Sequence, residues 1–142
     1  MKTLLYPAVI VFALLLSGLS AAAQEQEKTP TAEEVAATES ERLEKLLQLE
    51  DWQVFYVDST LQHDFVGMEN ELKKMQEAKV GNYNLYLEIQ DQWYIRIENS
   101  FKKYFNESQW KKFLKSGMSR GHKDSYKRRA KAARKAEKAK TS

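Results

Sequence analysis

The sequence contains no cysteine, two prolines, five glycines and two histidines in 142 residues. Without cysteine there is no disulfide framework, no thiol nucleophile, no iron–sulfur cluster and no lipoprotein-type acylation site. So few prolines and glycines argue against an all-β chain built on many tight turns. Two histidines leave little material for a zinc site, and from His63 the helical ligand positions i+3 and i+4 are Val66 and Gly67, neither of which binds metal. No Gly-rich phosphate loop and no G-x-S-x-G elbow occurs. Carboxylates adjacent or two apart, such as Glu33/Glu34 and Glu69/Glu71, do not face each other on a helix and read as a solvated surface. No catalytic residue, metal site or cofactor site is therefore expected, and the reading is non-enzymatic.

What is present begins with an address. Lys2, an apolar run from Ala8 to Leu16 and the small cluster Ala21-Ala22-Ala23 have the order of a secretory signal peptide over residues 1–23. The apolar run is shorter than the roughly 20 residues that span a bilayer comfortably. The chain is thus expected to be exported, periplasmic or secreted, with Gln24 first after cleavage near Ala23.

Charge divides the remainder. Residues 24–119 hold 12 Lys/Arg and 18 Asp/Glu, whereas residues 120–142 hold 10 Lys/Arg and two acids. An acidic body carries a basic tail, a statement about partners more than about fold.

The periodicity predicts helices alone, an all-α chain. Residues 24–30 are polar and read as a disordered linker. Thr31 and Glu34 have the spacing of a capping box, opening a helix over residues 32–48. Val54, Val57, Leu61, Phe65, Met68, Leu72 and Met75 follow at spacings of 3, 4, 4, 3, 4 and 3, one stripe of a helix over residues 51–79 with Gly81 as its left-handed stop. A third helix over residues 83–104 carries Tyr86, Ile89, Trp93, Ile97, Phe101 and Tyr104, with Glu98 and Lys102 expected to pair on its surface. The short connection makes helices two and three an antiparallel hairpin. A short helix capped by Asn106 ends near Gly117, completing a helical domain over residues 31–119. Residues 120–142 have almost no apolar face and read as a disordered tail or frayed helix, with His122 at its root.

Two helix starts share a pattern. Leu49-Glu50-Asp51-Trp52-Gln53 and Phe105-Asn106-Glu107-Ser108-Gln109 both read apolar, polar, acidic, any residue, Gln, 56 residues apart. A large apolar residue docks, a cap-capable residue and an acid meet the positive end of the helix, and the Gln can reach back across the loop. This arrangement resembles the LTxxQ-motif family of periplasmic proteins, the Spy/CpxP-like chaperones and envelope-stress proteins. Glu50 and Asn106 stand where that family has Thr, and Phe105 where it has Leu. The resemblance covers residues 40–117 and implies about four helices, a long helical hairpin that often dimerises, and a stress-related or chaperone-like binding role without catalysis.

Thirteen of the 62 residues from Trp52 to Phe113 are aromatic. A thin helical body has much surface for its volume, so Trp52, Phe55, Phe65, Met68, Trp93, Tyr94, Phe101 and Trp110 are either core or a surface that meets unfolded or partner proteins, on a concave face or in a homodimer interface. In the tail, Lys127, Arg128, Arg129, Lys131, Arg134 and Lys135 point to an anionic lipid or lipopolysaccharide surface, which gives the rival reading of a structural envelope protein tethered through its tail. Export argues against nucleic acid.

Overall fold

The computed structural model describes residues 28–142, and residues 31–142 form one compact unit. The expected leader and most of the expected linker lie outside the described residues. The compact unit is all-α. Its helices are α1 (Ala32–Leu47), α2 (Asp51–Glu77), α3 (Tyr83–Tyr104), α4 (Glu107–Lys112), a π-helical turn (Phe113–Gly117) and α5 (Arg120–Thr141).

Local chemistry sets the ends. The Thr31 hydroxyl accepts from the Glu34 amide at 3.2 Å while the Glu34 carboxylate accepts from the Thr31 amide at 2.9 Å, closing a capping box. Helix α2 stops at Glu77, two residues before the expected end, and its left-handed residue is Lys79 (φ 54°), not Gly81. The Val80 and Lys79 amides donate back to the Met75 and Gln76 carbonyls at 3.0 and 2.9 Å, the two bonds of a Schellman turn. Gly81 falls beyond that turn. Gln48 (φ 52°) plays the same part after α1.

Helices α1, α2 and α3 form an up-down-up stack. Gln62 of α2 reaches the Glu33 carbonyl near the start of α1. Trp93 Nε1 of α3 donates to Glu71 of α2 at 2.7 Å, while Gln53 near the start of α2 meets the end of α3, so α2 and α3 run antiparallel. The core takes Ala36, Leu43 and Leu47 from α1, Val57, Leu61 and Phe65 from α2, Tyr94, Ile97 and Phe101 from α3, then Phe105, Phe113 and Met118. Only the middle of the long α2 stripe, Val57, Leu61 and Phe65, is buried; Val54 is half-buried, and so are Met68, Leu72 and Met75, which lie beyond the level at which Gln62 meets the start of α1. Arg42, held by Glu39 at 2.6 Å, donates to the Gly117 and Ser116 carbonyls and so fastens the π-helical turn to α1.

Residues 120–142 depart from the expected disorder or fraying. Helix α5 is continuous from Arg120, capped by the Ser119 hydroxyl, and its first half packs on α3. The composition correctly excludes an apolar face; what docks the helix is polar. Arg128 pairs with Asp91 at 2.7 Å, and Arg129 and His122 both reach Glu98. Glu98 is therefore buried and not paired with Lys102 on the surface.

The paired helix starts and the aromatic patch above them

The two five-residue motifs, far apart in sequence, meet in space. The side-chain amides of Gln53 and Gln109 face each other: Gln53 Nε2 donates to Gln109 Oε1 at 2.8 Å and Gln109 Nε2 donates to Gln53 Oε1 at 3.0 Å. Each Oε1 also accepts from the amide that opens its own helix, Glu50 N for Gln53 and Asn106 N for Gln109, both at 3.0 Å. Each Nε2 spends its second hydrogen on the carbonyl that ends a helix of the other motif, Gln53 on Tyr104 O at 2.7 Å and Gln109 on Leu47 O at 3.4 Å. An amide has two donor hydrogens and two acceptor lone pairs; in this crossed arrangement all eight positions of the pair are filled. Both glutamines are buried, and among the described residues no buried side-chain polar atom lacks a partner.

The two starts are not equivalent. Asn106 Oδ1 accepts from the Gln109 amide at 2.8 Å, a full reciprocal cap. The Glu50 start also has the reciprocal capping-box arrangement, but its carboxylate accepts in addition from Trp52 Nε1 at 2.6 Å. Of the apolar motif residues, Phe105 is buried and Leu49 half-buried.

Immediately outside the amide pair lies a cluster of rings. Trp52 and Tyr56 are about half exposed, and Phe55 is 66% exposed. Tyr56 is edge-on to both Trp52 and Phe55, with ring centroids 6.3 and 5.4 Å apart, and stacks on Tyr104 of α3 at 5.1 Å. Because Gln53 holds the Tyr104 carbonyl, the amide pair fixes the register in which α2 and α3 present these rings together. The Glu50–Trp52 bond restrains the indole. Glu50 and Asp51 give the edge of the patch negative charge.

The eight residues that sequence left as core or binding surface now divide. Phe65, Tyr94 and Phe101 are core, and Met68, Trp93 and Trp110 are half-buried against it or against neighbouring side chains. Trp52 and Phe55 are surface. Tyr56 is not among the eight, although it lies no farther from the apolar stripe of α2 than Phe55; what brings it into the patch is its stack on Tyr104 of α3, a contact that only the fold supplies.

On the other side of α3, Glu98 is the centre of a second polar cluster. Arg129 grips it with both terminal nitrogens at 2.9 Å, and His122 Nε2 lies 3.0 Å from Oε1. A carboxylate only accepts, so Nε2 carries the proton in this contact. The His122 ring stacks on Tyr94 at 4.6 Å and meets Phe113 edge-on at 5.4 Å. Burial pushes the Glu98 carboxyl up, but the hydrogen bonds from His122 and Arg129 and their nearby positive charge outweigh it and hold it below the usual carboxylate range. Burial pushes the Tyr94 phenol up. His122, expected at the exposed root of a tail, is thus one of the buried joints of the fold.

Among the described residues no group of three or more His, Asp or Glu is placed to hold a metal ion, and no helix is long and apolar enough to cross a membrane. His63 lies on the surface, with Nδ1 2.8 Å from the neighbouring Asp64. Comparison with protein-family models, curated proteins and solved structures found no match for the chain.

Proposed function

We propose that this chain is an exported, non-enzymatic binding protein, chaperone-like or related to envelope stress, that holds exposed apolar segments of unfolded or partner proteins against the patch of Trp52, Phe55, Tyr56 and Tyr104. The observation that carries the reading is Phe55, two-thirds exposed on α2 beside two half-exposed rings. A ring left in water on folding keeps apolar area that a partner could still bury, and contiguous exposed apolar patches mark interaction sites. Trp and Tyr suit varied partners because each has an apolar body and a polar tip. The acids at the rim favour segments that carry Lys or Arg beside their apolar residues.

The resemblance to the LTxxQ-motif proteins supports the same reading independently, through the two motif starts and the hairpin between them. The reading assigns no catalytic residue and no cofactor.

The test is suppression of light scattering by an aggregating client, using the chain from Gln24 onward. The double variant Trp52→Ser, Phe55→Ser should keep its helical circular dichroism, since both residues are exposed, and should lose most of the protection. The control Tyr83→Ser removes another exposed ring, at the opposite end of α3, and should retain it. Full protection by the double variant would exclude this patch as the binding surface.

A further inference from the structure

The order in α5 changes what its charge can do. On a helix of 100° per residue, Arg120, Lys123, Lys127, Lys131, Arg134 and Lys138 follow at spacings of 3, 4, 4, 3 and 4, and so fall in one narrow row. All six are exposed, and none forms an ion pair among the described residues. His122, Ser125 and Arg129, which dock the helix on α3, lie on the opposite side. Arg128 and Arg129, which the sequence grouped with the outward-facing cations, are instead consumed by Asp91 and Glu98. The inward cations anchor the helix, and that anchoring aims the remaining row away from the acidic body. At a rise of 1.5 Å per residue the row is about 27 Å long.

We infer that this row is a docking surface for an anionic phospholipid bilayer, bound peripherally through lipid phosphates. Three features select that partner. The row lies along one side of a continuous helix, so its cations can reach a plane together, and mobile anionic lipids can gather beneath it. The row itself contains no large apolar side chain, and Tyr126, the exposed ring beside it, lies against the Arg129 guanidinium at 5.6 Å, so the helix has no apolar face to insert below the headgroups. Asp124 and Glu137 flank the row on either side, where a helix lying in a nucleic-acid groove meets phosphates. The choice of a bilayer rests on the export reading above, while binding through the row is independent of the aromatic patch.

The experiment is co-sedimentation of the chain from Gln24 onward, which contains the whole compact unit, with vesicles of phosphatidylcholine alone or with 30% phosphatidylglycerol. Each basic residue near an anionic surface is worth about fivefold in partitioning. Replacing Lys127, Lys131, Arg134 and Lys138 by Gln should therefore weaken binding to the anionic vesicles by about 100-fold or more. Removing four exposed charges from the body, at Lys73, Lys74, Lys103 and Lys112, should leave it within about threefold. A third variant keeps composition and net charge but breaks the row, by Lys131→Ala with Ala132→Lys and Ala133→Arg with Arg134→Ala; it should bind about tenfold more weakly or worse. Binding by the unmodified chain should vanish at high salt.

Equal loss in the row and body variants would overturn the assignment in favour of net charge. Undiminished binding by the rearranged variant would overturn the ordered row. Equal binding to neutral vesicles, tighter retention on double-stranded DNA at the same salt, or salt-sensitive self-association that competes with the vesicles would each overturn the bilayer as partner. The client assay on the same row variants separates failure of this inference from failure of the proposed function, because protection should be unchanged in all of them.

Discussion

Replacing Gln53 by Ala removes four hydrogen bonds at once. The Glu50 amide and the Tyr104 carbonyl lose their partner, and the buried Gln109 amide loses one donor and one acceptor contact. At about 1 kcal/mol net per hydrogen bond, with buried groups left unpaired, Gln53→Ala should cost about 3 to 4 kcal/mol. Gln109→Ala removes a similar set and should cost about as much. The two bonds between the amides are counted in both single variants but exist only once. The double variant should therefore cost about 2 kcal/mol less than the sum, a coupling energy within the range for residues in direct contact. Gln53→Glu keeps the shape but turns two donors into acceptors aimed at the Tyr104 carbonyl and Gln109 Oε1. It should be worse than Ala, because it adds a buried charge without a counter-charge. Urea denaturation of the four proteins of the cycle, followed by circular dichroism, measures each quantity. Additivity of the two Ala variants within about 0.5 kcal/mol would refute the claim that the amides hold each other, and would reduce the motif to two separate helix caps.

Gly67→Ala should destabilise α2 although Ala is the better helix former by about 1 kcal/mol, because a Cβ there would lie 2.9 Å from Trp93 Cζ3 and displace a ring held by its bond to Glu71 and by Arg96 stacked 4.5 Å from its centroid. The net loss should be about 1 to 2 kcal/mol with a change in tryptophan fluorescence, and a raised melting temperature would refute the close packing. Glu98→Ala should cost about 3 kcal/mol by leaving Arg129 and His122 without their carboxylate, seen as faster proteolysis of the α5 segment. Since the folded carboxyl is held below its usual value, the stabilisation from Glu98 is fully present above the unfolded-state value of about 4.3 and is lost as pH falls through the folded value. Thermal melts of Glu98→Gln should accordingly decline less steeply than the parent below about pH 4, and parallel declines would refute the assignment.

The sequence by itself determined the helices. The spacing of Val57, Leu61 and Phe65 fits only a helical face, and the capping residues Thr31 and Asn106 act within three residues of themselves, so each start is decided by local chemistry. It also marked Gln53 and Gln109 as equivalent positions, since a repeated pattern is visible without knowing what it contacts. That the two amides bond to each other needed the fold, because only closing the hairpin brings residues 56 apart together. The end of α2 was misplaced because a Schellman turn is a backbone pattern that tolerates Lys79 when its two bonds form; Gly81 was the better candidate on side-chain grounds alone. Exposure of Phe55 and burial of Phe101 were equally open in sequence, since both are aromatic and helical, and what separates them is which helix happens to lie against each. The basic helix is the clearest division. Its composition excluded an apolar face, and with it the usual signal for docking. Only the tertiary structure supplied Asp91 and Glu98 from another helix, and those acids turn a solvated run of cations into an anchored helix with one charged side outward.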